Sequence, residues 1–413
     1  MSERGGFEAL DACVHCGFCL QACPTFLATG DEADSPRGRI ELMRALEAGE
    51  LTPDDAAVVV HLDRCLGCRG CEPVCPSGVG YGRGIEAARA LLATKRRPAP
   101  LARAALWALT TPGPSRIAYT LARALRATGI PSRLAGWGRF RFAMGMLAAT
   151  KPSDGRTLGR PDGKRRQPPS DSPTVRQSVA LFRGCVMDGL FSHVHDATVR
   201  TLEVNGYAVR EVPGQVCCGA LHAHAGLREE ARRLARANVA AFGDGDEPIV
   251  VNSAGCGAML KEYGHLVAEA RFATRVRDVT ELLAARGPRP GAPVDAQVAY
   301  DPPCHLLHAQ RIADEPYRVL AAIPVLRVVS LPDAAQCCGS AGLFTLLEPA
   351  MSRAVLAPKL ASLRTASPQV VATGNPGCLM QLGAGLAAGG LRATARHPVE
   401  LLDESYRAAG YYA

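Results

Sequence analysis

The sequence predicts an α+β multidomain architecture: a helical N-terminal domain followed by an α/β domain that occurs twice. Three observations carry that prediction. Two groups of four cysteines lie within the first 75 residues, and eight more repeat their spacing and surroundings at an offset near 120 residues. Throughout that repeat, short β-branched runs alternate with longer helical stretches. At 413 residues the chain has room for about two to four domains. Hydrophobic residues at 47% and charged residues at 21% exclude wholesale disorder. Aromatics at 5% argue against a nucleic-acid binder built on aromatic platforms.

Taking the elements in order, the first cysteine group is Cys13, Cys16, Cys19 and Cys23, followed by Pro24. The second is Cys65, Cys68, Cys71 and Cys75, followed by Pro76. Both obey C-x2-C-x2-C-x3-C-P, the ferredoxin run, in which three closely spaced thiolates hold one 4Fe–4S cube and the fourth crosses to the other cube. On that rule Cys13, Cys16, Cys19 and Cys75 are expected to hold one cluster, and Cys65, Cys68, Cys71 and Cys23 the other. Soft sulfur suits iron. Gly17, Gly67 and Gly70 let the loops bend so that backbone N–H groups meet the cluster sulfurs. Structural zinc motifs pair two CxxC units across a longer spacer, which two complete copies of this run do not do.

The 41 residues between the two groups are too many for a small bacterial ferredoxin hairpin. Ser35-Pro36 opens a segment with helical apolar spacing through Leu46. Thr52-Pro53-Asp54-Asp55 reads as the N-cap and first turn of a second helix reaching Leu62. A helical ferredoxin domain is therefore expected over residues 1–94, with its clusters in loops between helices. Met1 to Asp11 carries charges and no apolar core, so no secretory signal is read, and a cytoplasmic protein with metal-binding thiols is expected. The longest uncharged stretch, Thr365 to Leu391, is broken by prolines, Asn375 and glycines, which disqualifies it as a membrane span.

Net charge is +8, but residues 95–166 carry 16 Lys/Arg against Asp154 and Asp162, a local +14 that leaves −6 elsewhere. The segment 95–177 holds Trp107, Trp137, Phe140 and Phe142. It also has an amphipathic run (Ile117, Leu121, Ala124, Leu125) with Arg116, Arg123 and Arg126 elsewhere on the wheel. An interfacial membrane helix or a docking arm for a partner would use this pattern. The preferred expectation is a helical bridge packed on both neighbouring domains, ending in a Pro/Lys/Arg-rich linker at 151–177. Nucleic-acid binding is not expected, because no reader motif accompanies the charge.

The second cysteine population is Cys185, Cys217-Cys218 and Cys256, then Cys304, Cys337-Cys338 and Cys378. Their surroundings also repeat: Cys217-Cys218-Gly219 parallels Cys337-Cys338-Gly339, and Asp278 to Leu283 parallels His397 to Leu402. The two copies are placed at 178–290 and 291–413. In the first, strands are expected at 178–183, 207–212 and 248–252, with helices near 192–204, 228–241 and 257–270. The cysteines fall just after strands, where parallel sheets build their sites. Adjacent thiols on an extended chain point apart, so the doublets need bent loops, which Gly219 and Gly339 supply. Buried apolar cysteines are the alternative reading. Metal binding in at least one copy is preferred.

At these doublets the sequence resembles the CCG-domain proteins: heterodisulfide reductase B-type subunits and the iron–sulfur subunits of flavin-dependent 2-hydroxyacid dehydrogenases, the glycolate oxidase (glycolate dehydrogenase) type above all. ACVHCGFCLQACPT, DSPRGRIELM, HLDRCLGCRGCEPVCPSGV, AGCGAMLKEYG, DPPCHLLHAQ, CCGSAG and GNPGC occur in that order across the chain. The resemblance implies an electron chain with no catalytic residue in this polypeptide. FAD on a partner dehydrogenase subunit oxidises glycolate to glyoxylate, and electrons leave through two 4Fe–4S clusters here toward the respiratory chain and its quinone, with peripheral membrane contact at most. Lactate and glycerol 3-phosphate systems share this subunit type. A thiol–disulfide reductase of the heterodisulfide kind is the alternative. Those relatives end their motif in CxxC, giving five thiolates per copy, whereas Ser253 and Asn375 stand at the matching positions here. Four thiolates per copy suffice for one further 4Fe–4S cluster each, and whether one, both or neither copy holds one stays open. His305 and His222 are candidates to hydrogen-bond or tune a cluster, with His224 and His308 nearby. Lys261 and Tyr263 read equally well as helix surface. No GxGxxG, P-loop or flavin-binding region is found.

Overall fold

The computed structural model of the protein describes residues 4–152 and 177–412. The expected linker at 151–177 lies almost wholly outside them. The chain is helix-rich with two small parallel sheets, an α+β arrangement in which a helical N-terminal unit precedes two copies of one α/β unit.

In the N-terminal unit, Ser35 caps the helix Pro36–Ala48 by accepting from the Gly38 N–H, and Pro36 fixes its first turn. The next helix starts later than Thr52 suggested. Asp55 is its N-cap, accepting from the Ala57 and Val58 N–H groups, and the helix runs Ala56–Asp63. The helix Tyr81–Lys95 closes the unit. Phe7, Leu10, Ile40, Met43, Leu62 and Ile85 form its core, with the cysteine loops packed on one side.

The first copy contains β1 (Gln177–Phe182), β2 (Tyr207–Glu211), β3 (Ile249–Val251) and β4 (Val276–Asp278) in the order β2-β1-β3-β4, all parallel. The second contains β5 (Gln297–Tyr300), β6 (Arg327–Val329), β7 (Val370–Ala372) and β8 (Thr394–Arg396) in the order β6-β5-β7-β8, again all parallel. Parallel strands put all their C-terminal ends on one edge, and every cysteine of the copies sits just beyond such an end. β4 is not among the expected strands: it is three residues long, too short to show a period, and only its last residue, Asp278, belongs to the repeated motif. The helix expected near 257–270 is broken into Ala254–Lys261, Tyr263–Leu266 and Ala270–Arg275, and Ala268 takes a left-handed φ of 63° at the break.

The copies pack reciprocally. The first copy's Ser192–Val204 lies on the second copy's Pro398–Ala408, and the second copy's Glu315–Ala321 lies on the first copy's Val279–Arg286. This is the self-complementary pattern of a two-fold interface. Both copies feed one core that includes Val179, Leu181, Val250, Tyr300 and Val370. Arg200 meets Asp403 through two bonds of 2.7 and 2.8 Å across the seam, and Asn205 reaches the Tyr406 hydroxyl at 3.0 Å.

The basic segment forms four helices, Pro100–Thr110, Pro114–Ala127, Ile130–Leu134 and Arg139–Ala148. Their inner faces rest on the two copies. Tyr119 fills the space over Gly189, where a Cβ would meet its ring at 2.4 Å, and Gly145 packs on Ala384. Their outer faces are not covered: Trp107, Ile117, Leu121 and Phe140 are each more than 60% exposed. Arg126 belongs to the inner side, donating to the carbonyls of Thr150 and Leu190.

Candidate metal centres

In both N-terminal cysteine loops the chain takes left-handed φ at the residue before the second cysteine and at the residue after it. These are His15 (56°) and Gly17 (84°) in one loop, Gly67 (62°) and Arg69 (60°) in the other. Only one of each pair is glycine, so His15 and Arg69 carry backbone strain that neighbours must hold. Arg44 does so for the first loop, reaching His15 Nε2 at 2.7 Å and the carbonyls of Leu10 and Cys13. Arg69 is tied to Glu72 and to Glu262 of the first copy, each at 2.8 Å. Consecutive turned N–H groups of this kind form concavities for anionic centres, and the Gly67 N–H points at Cys65 Sγ, 3.4 Å away. Gly70 has an ordinary φ. Its small size instead admits Ala22 and His308, which a Cβ would meet at 3.2 and 3.5 Å.

Two cavities open between these loops. One is lined by Cys13, Cys16, Cys19, Cys71 and Cys75, the other by Cys23, Cys65, Cys68 and Cys71, so Cys71 borders both. Cys16 is the single exposed cysteine of the sixteen. Buried Arg39 lies beside Cys23 and Cys65, donating to Thr25 Oγ1 (3.0 Å), Asp34 (3.2 Å) and the His61 carbonyl (2.6 Å), with Cys23 Sγ 3.9 Å away. Arg89 gathers the carbonyls of Leu62 and Cys65. Burial opposes ionisation of Cys65, but Arg39 and Arg89 outweigh it and hold that thiol below its usual range. Burial pushes Cys68 and Cys71 well up, reinforced by neighbouring sulfurs. One further grouping, Asp31, Asp34 and His61, has its ligand atoms close together. Asp34 there already pairs with Arg39 and Arg64 and meets His61 Nδ1 at 2.9 Å.

In the copies each cysteine doublet divides its thiols. Cys217 meets Cys185 at 3.4 Å, while Cys218 bonds toward Cys256. Cys337 meets Cys304 at 4.0 Å, while Cys338 meets Cys378 at 3.3 Å. The doublet glycines make this turn possible. Gly219 and Gly339 have φ of 90° and 84°, and a Cβ at Gly339 would lie 2.6 Å from the Ser352 carbonyl. Their N–H groups point back at Cys217 and Cys337, at 3.5 and 3.4 Å. Bonds from Cys185 and Cys218 pull Cys217 well below the usual thiol range against its burial. Cys304, Cys337 and Cys338 stay well above it.

The doublet loops are held by residues that sequence reasoning passed over. Tyr263 is fully buried rather than helix surface, and its hydroxyl donates to the Cys218 carbonyl at 2.9 Å. Asn238 donates to both the Tyr263 hydroxyl and the Cys217 carbonyl, at 3.1 Å each. In the second copy Ser352 donates to the Gly339 carbonyl at 2.8 Å, and Gln381 donates to Ser352 at 2.9 Å. Asn375, where a fifth thiolate would stand, accepts from the Gly255 N–H of the other copy and turns its amide toward Cys378 Sγ, 3.5 Å away. Asn238, Ser352 and Gln381 sit on apolar helix faces. A polar residue there is the one signal that could have marked them.

The N-terminal unit meets the copies at Gly67, which lies under His224. His305 Nε2 donates to the Gly67 carbonyl at 3.1 Å, and its ring lies 5.6 Å from that of His224. His308 donates to the Ala335 carbonyl at 2.8 Å. His222 is buried, with Nδ1 unpartnered near Cys217. Cys68 and Cys304 pack on one small cluster with Leu66, Cys337, Phe344 and Val355, so the second thiol group of the N-terminal unit adjoins the second copy's group.

Grouped thiols, N–H groups aimed at sulfur and buried arginines suit iron–sulfur clusters, whose charge thiolate ligands and such donors accommodate. Residues 9–79 match the 4Fe-4S dicluster domain family, and residues 179–261 and 298–383 each match CCG, the cysteine-rich domain. Fold and site define an iron–sulfur electron-transfer protein. The chain is 34% identical to the probable glycolate oxidase iron-sulfur subunit of Bacillus subtilis over 99% of its own length and 96% of the relative's. It is 33% identical to the glycolate oxidase iron-sulfur subunit of Escherichia coli, covering 96% and 94%. It is also 31% identical to lactate utilization protein A of Geobacillus kaustophilus over 54% of this chain and 98% of that one. The chain belongs to the family of glycolate oxidase iron–sulfur subunits. No helix among the described residues is long and apolar enough to cross a membrane.

Proposed function

We propose that this chain carries electrons for a flavin-dependent 2-hydroxyacid dehydrogenase, with glycolate the acid and glyoxylate the product. The acid is oxidised on partner subunits that hold FAD, and its two electrons pass through this chain toward the quinone of the respiratory membrane from the cytoplasmic side. Bound 4Fe–4S clusters would supply one-electron storage. In this reading Cys13, Cys16, Cys19 and Cys75 hold one cluster, and Cys65, Cys68, Cys71 and Cys23 a second. Cys185, Cys217, Cys218 and Cys256 hold a third, and Cys304, Cys337, Cys338 and Cys378 a fourth. Domain borders fall near residues 94, 177 and 290. Arg39 and Arg89 supply positive charge to the second set, and His305 fixes the Gly67 loop against the second copy.

The observation that carries the reading is the packing of Cys68 beside Cys304 and Cys337. It supports a continuous relay rather than separate structural sites. Anaerobically purified protein is expected to contain about eight irons from the N-terminal unit and up to about eight more, with matching acid-labile sulfide, and to give paramagnetic resonance on reduction. Cys304→Ser is expected to change the signal of the Cys65 group as well as its own. Stoichiometric zinc without sulfide would overturn the reading.

A further inference from the structure

The inner faces of the basic helices are committed to the two copies, so their outer faces look away from the protein. Eight of the sixteen exposed large hydrophobic side chains among the described residues lie between Leu101 and Phe140. On Pro114–Ala127 they form a single stripe: Ile117, Leu121 and Leu125, at i, i+4 and i+8, on the side of the helix away from buried Tyr119. Trp107 and Phe140 stand out from the adjoining helices. Residues 95–152 carry eleven Lys/Arg and no acid. Arg103, Arg116, Arg123 and Arg133 are exposed and meet no carboxylate among the described residues. A protein partner would be expected to match a surface of mixed charge. An acid-free surface with aliphatic and indole side chains between guanidinium groups matches the headgroup zone of an anionic bilayer, where the apolar row inserts and the cations stay at phosphate level.

We propose that the outer face of Pro100–Ala148, centred on Ile117 and Leu121, is a docking surface for anionic lipid. The inference deepens the electron-delivery reading and rests on it for its purpose, because Tyr119 of the same helix lies beside Cys185. Docking would therefore hold the first copy's thiol group about one helix diameter, roughly 10 Å, beneath the lipid surface.

The test is sedimentation of the full-length, anaerobically purified chain with vesicles of phosphatidylglycerol mixed into phosphatidylcholine, and with pure phosphatidylcholine vesicles. The chain is expected to bind the mixed vesicles only, and to release as salt is raised. Ile117→Asp/Leu121→Asp should abolish binding. Arg116→Gln/Arg123→Gln should weaken it by about 25-fold, about fivefold per cation. All four side chains are exposed, so iron content and electron transfer to a soluble dye should match wild type, which separates lost docking from lost folding. Absence of binding to the mixed vesicles, or binding that the aspartates leave intact, would overturn the proposal. So would loss of the flavoprotein subunits from the Asp variant with vesicle binding unchanged, which would assign the face to a protein. Sedimentation needs no turnover, so a chain that transfers electrons but ignores vesicles sinks this inference and leaves the electron-carrier reading standing.

Discussion

Lys359→Met tests whether the second copy's cysteine loop is held by one buried ion pair. Lys359 and Asp301 are both almost completely buried. Lys359 bonds to Asp301 just beyond the end of β5, and to the carbonyls of Asp333 and Ala334 in the loop leading to Cys337. Burial raises the Asp301 carboxyl, with Lys359 countering it. Without the ammonium, a buried unpaired carboxylate would cost about 3–5 kcal/mol. The group has one escape, which is to take a proton. For a carboxyl of ordinary pKa near 3.9, protonation at about pH 7 costs about 4 kcal/mol, and at about pH 5 about 1.5 kcal/mol. The defect is thus capped at about 4 kcal/mol in neutral solution and shrinks by about 1.4 kcal/mol per unit as pH falls. The comparison is urea-dependent proteolysis of the second copy in wild type, Lys359→Met and Lys359→Met/Asp301→Asn. The single variant is expected to recover toward acid, and the double variant to be milder and nearly pH-independent. An acid-insensitive defect in the single variant, or an equally severe double variant, would refute the argument.

The seam should weaken in acid. Burial lowers His195 to about 4 and His397 to about 3, and both bond to Asn252. Because their folded values lie below the unfolded 6.5, their contribution is present above about pH 6.5 and is lost as pH falls toward 4 and then 3. For His195 alone it amounts to about 3 kcal/mol. Hydrogen exchange at β1 and β3 that stays flat from neutrality to pH 5, after correction for intrinsic rates, would count against this. Arg39→Met should cost several kcal/mol locally, about 3–5 by analogy with other broken buried pairs, and lower the potential of the Cys65 group by tens of millivolts or more. Potentiometric resonance should show the Cys13 group little changed. Gly339→Ala should displace the Cys337-Cys338 loop and its iron, because the new Cβ meets Ser352. Gly30→Ala, at a similar φ of 69° but in open space, should cost only about 1–2 kcal/mol and keep full iron.

The cysteine groups, the duplication and the first helices could be read directly, because thiol spacing and apolar period are local properties. The residues that hold the loops could not. Arg39, Arg44 and Arg89 act on carbonyls and sulfurs more than fifteen residues away, and a single arginine within a helical pattern looks like solvated surface. Tyr263 was ambiguous for the same reason. Its partner Asn238 lies on another helix, and the helix breaks around Glu262 and Ala268 leave no period to detect. The basic segment allowed bridge and docking readings because it has two faces, and only tertiary packing separates the face bearing Tyr119 from the one bearing Ile117.

The reciprocal packing of the copies has a bearing on polarity. Two identical halves about a two-fold axis would give a wire with equivalent ends, unable to tell source from sink. Joining them in one polypeptide lets each end change alone. Where the second half has Asp301, paired with Lys359, the first has Phe182 at the matching position, packed against Phe242. One terminus abuts Gly67 through His305, and the other sits under Tyr119. Duplication supplied the symmetry, and covalent linkage lets the two ends differ.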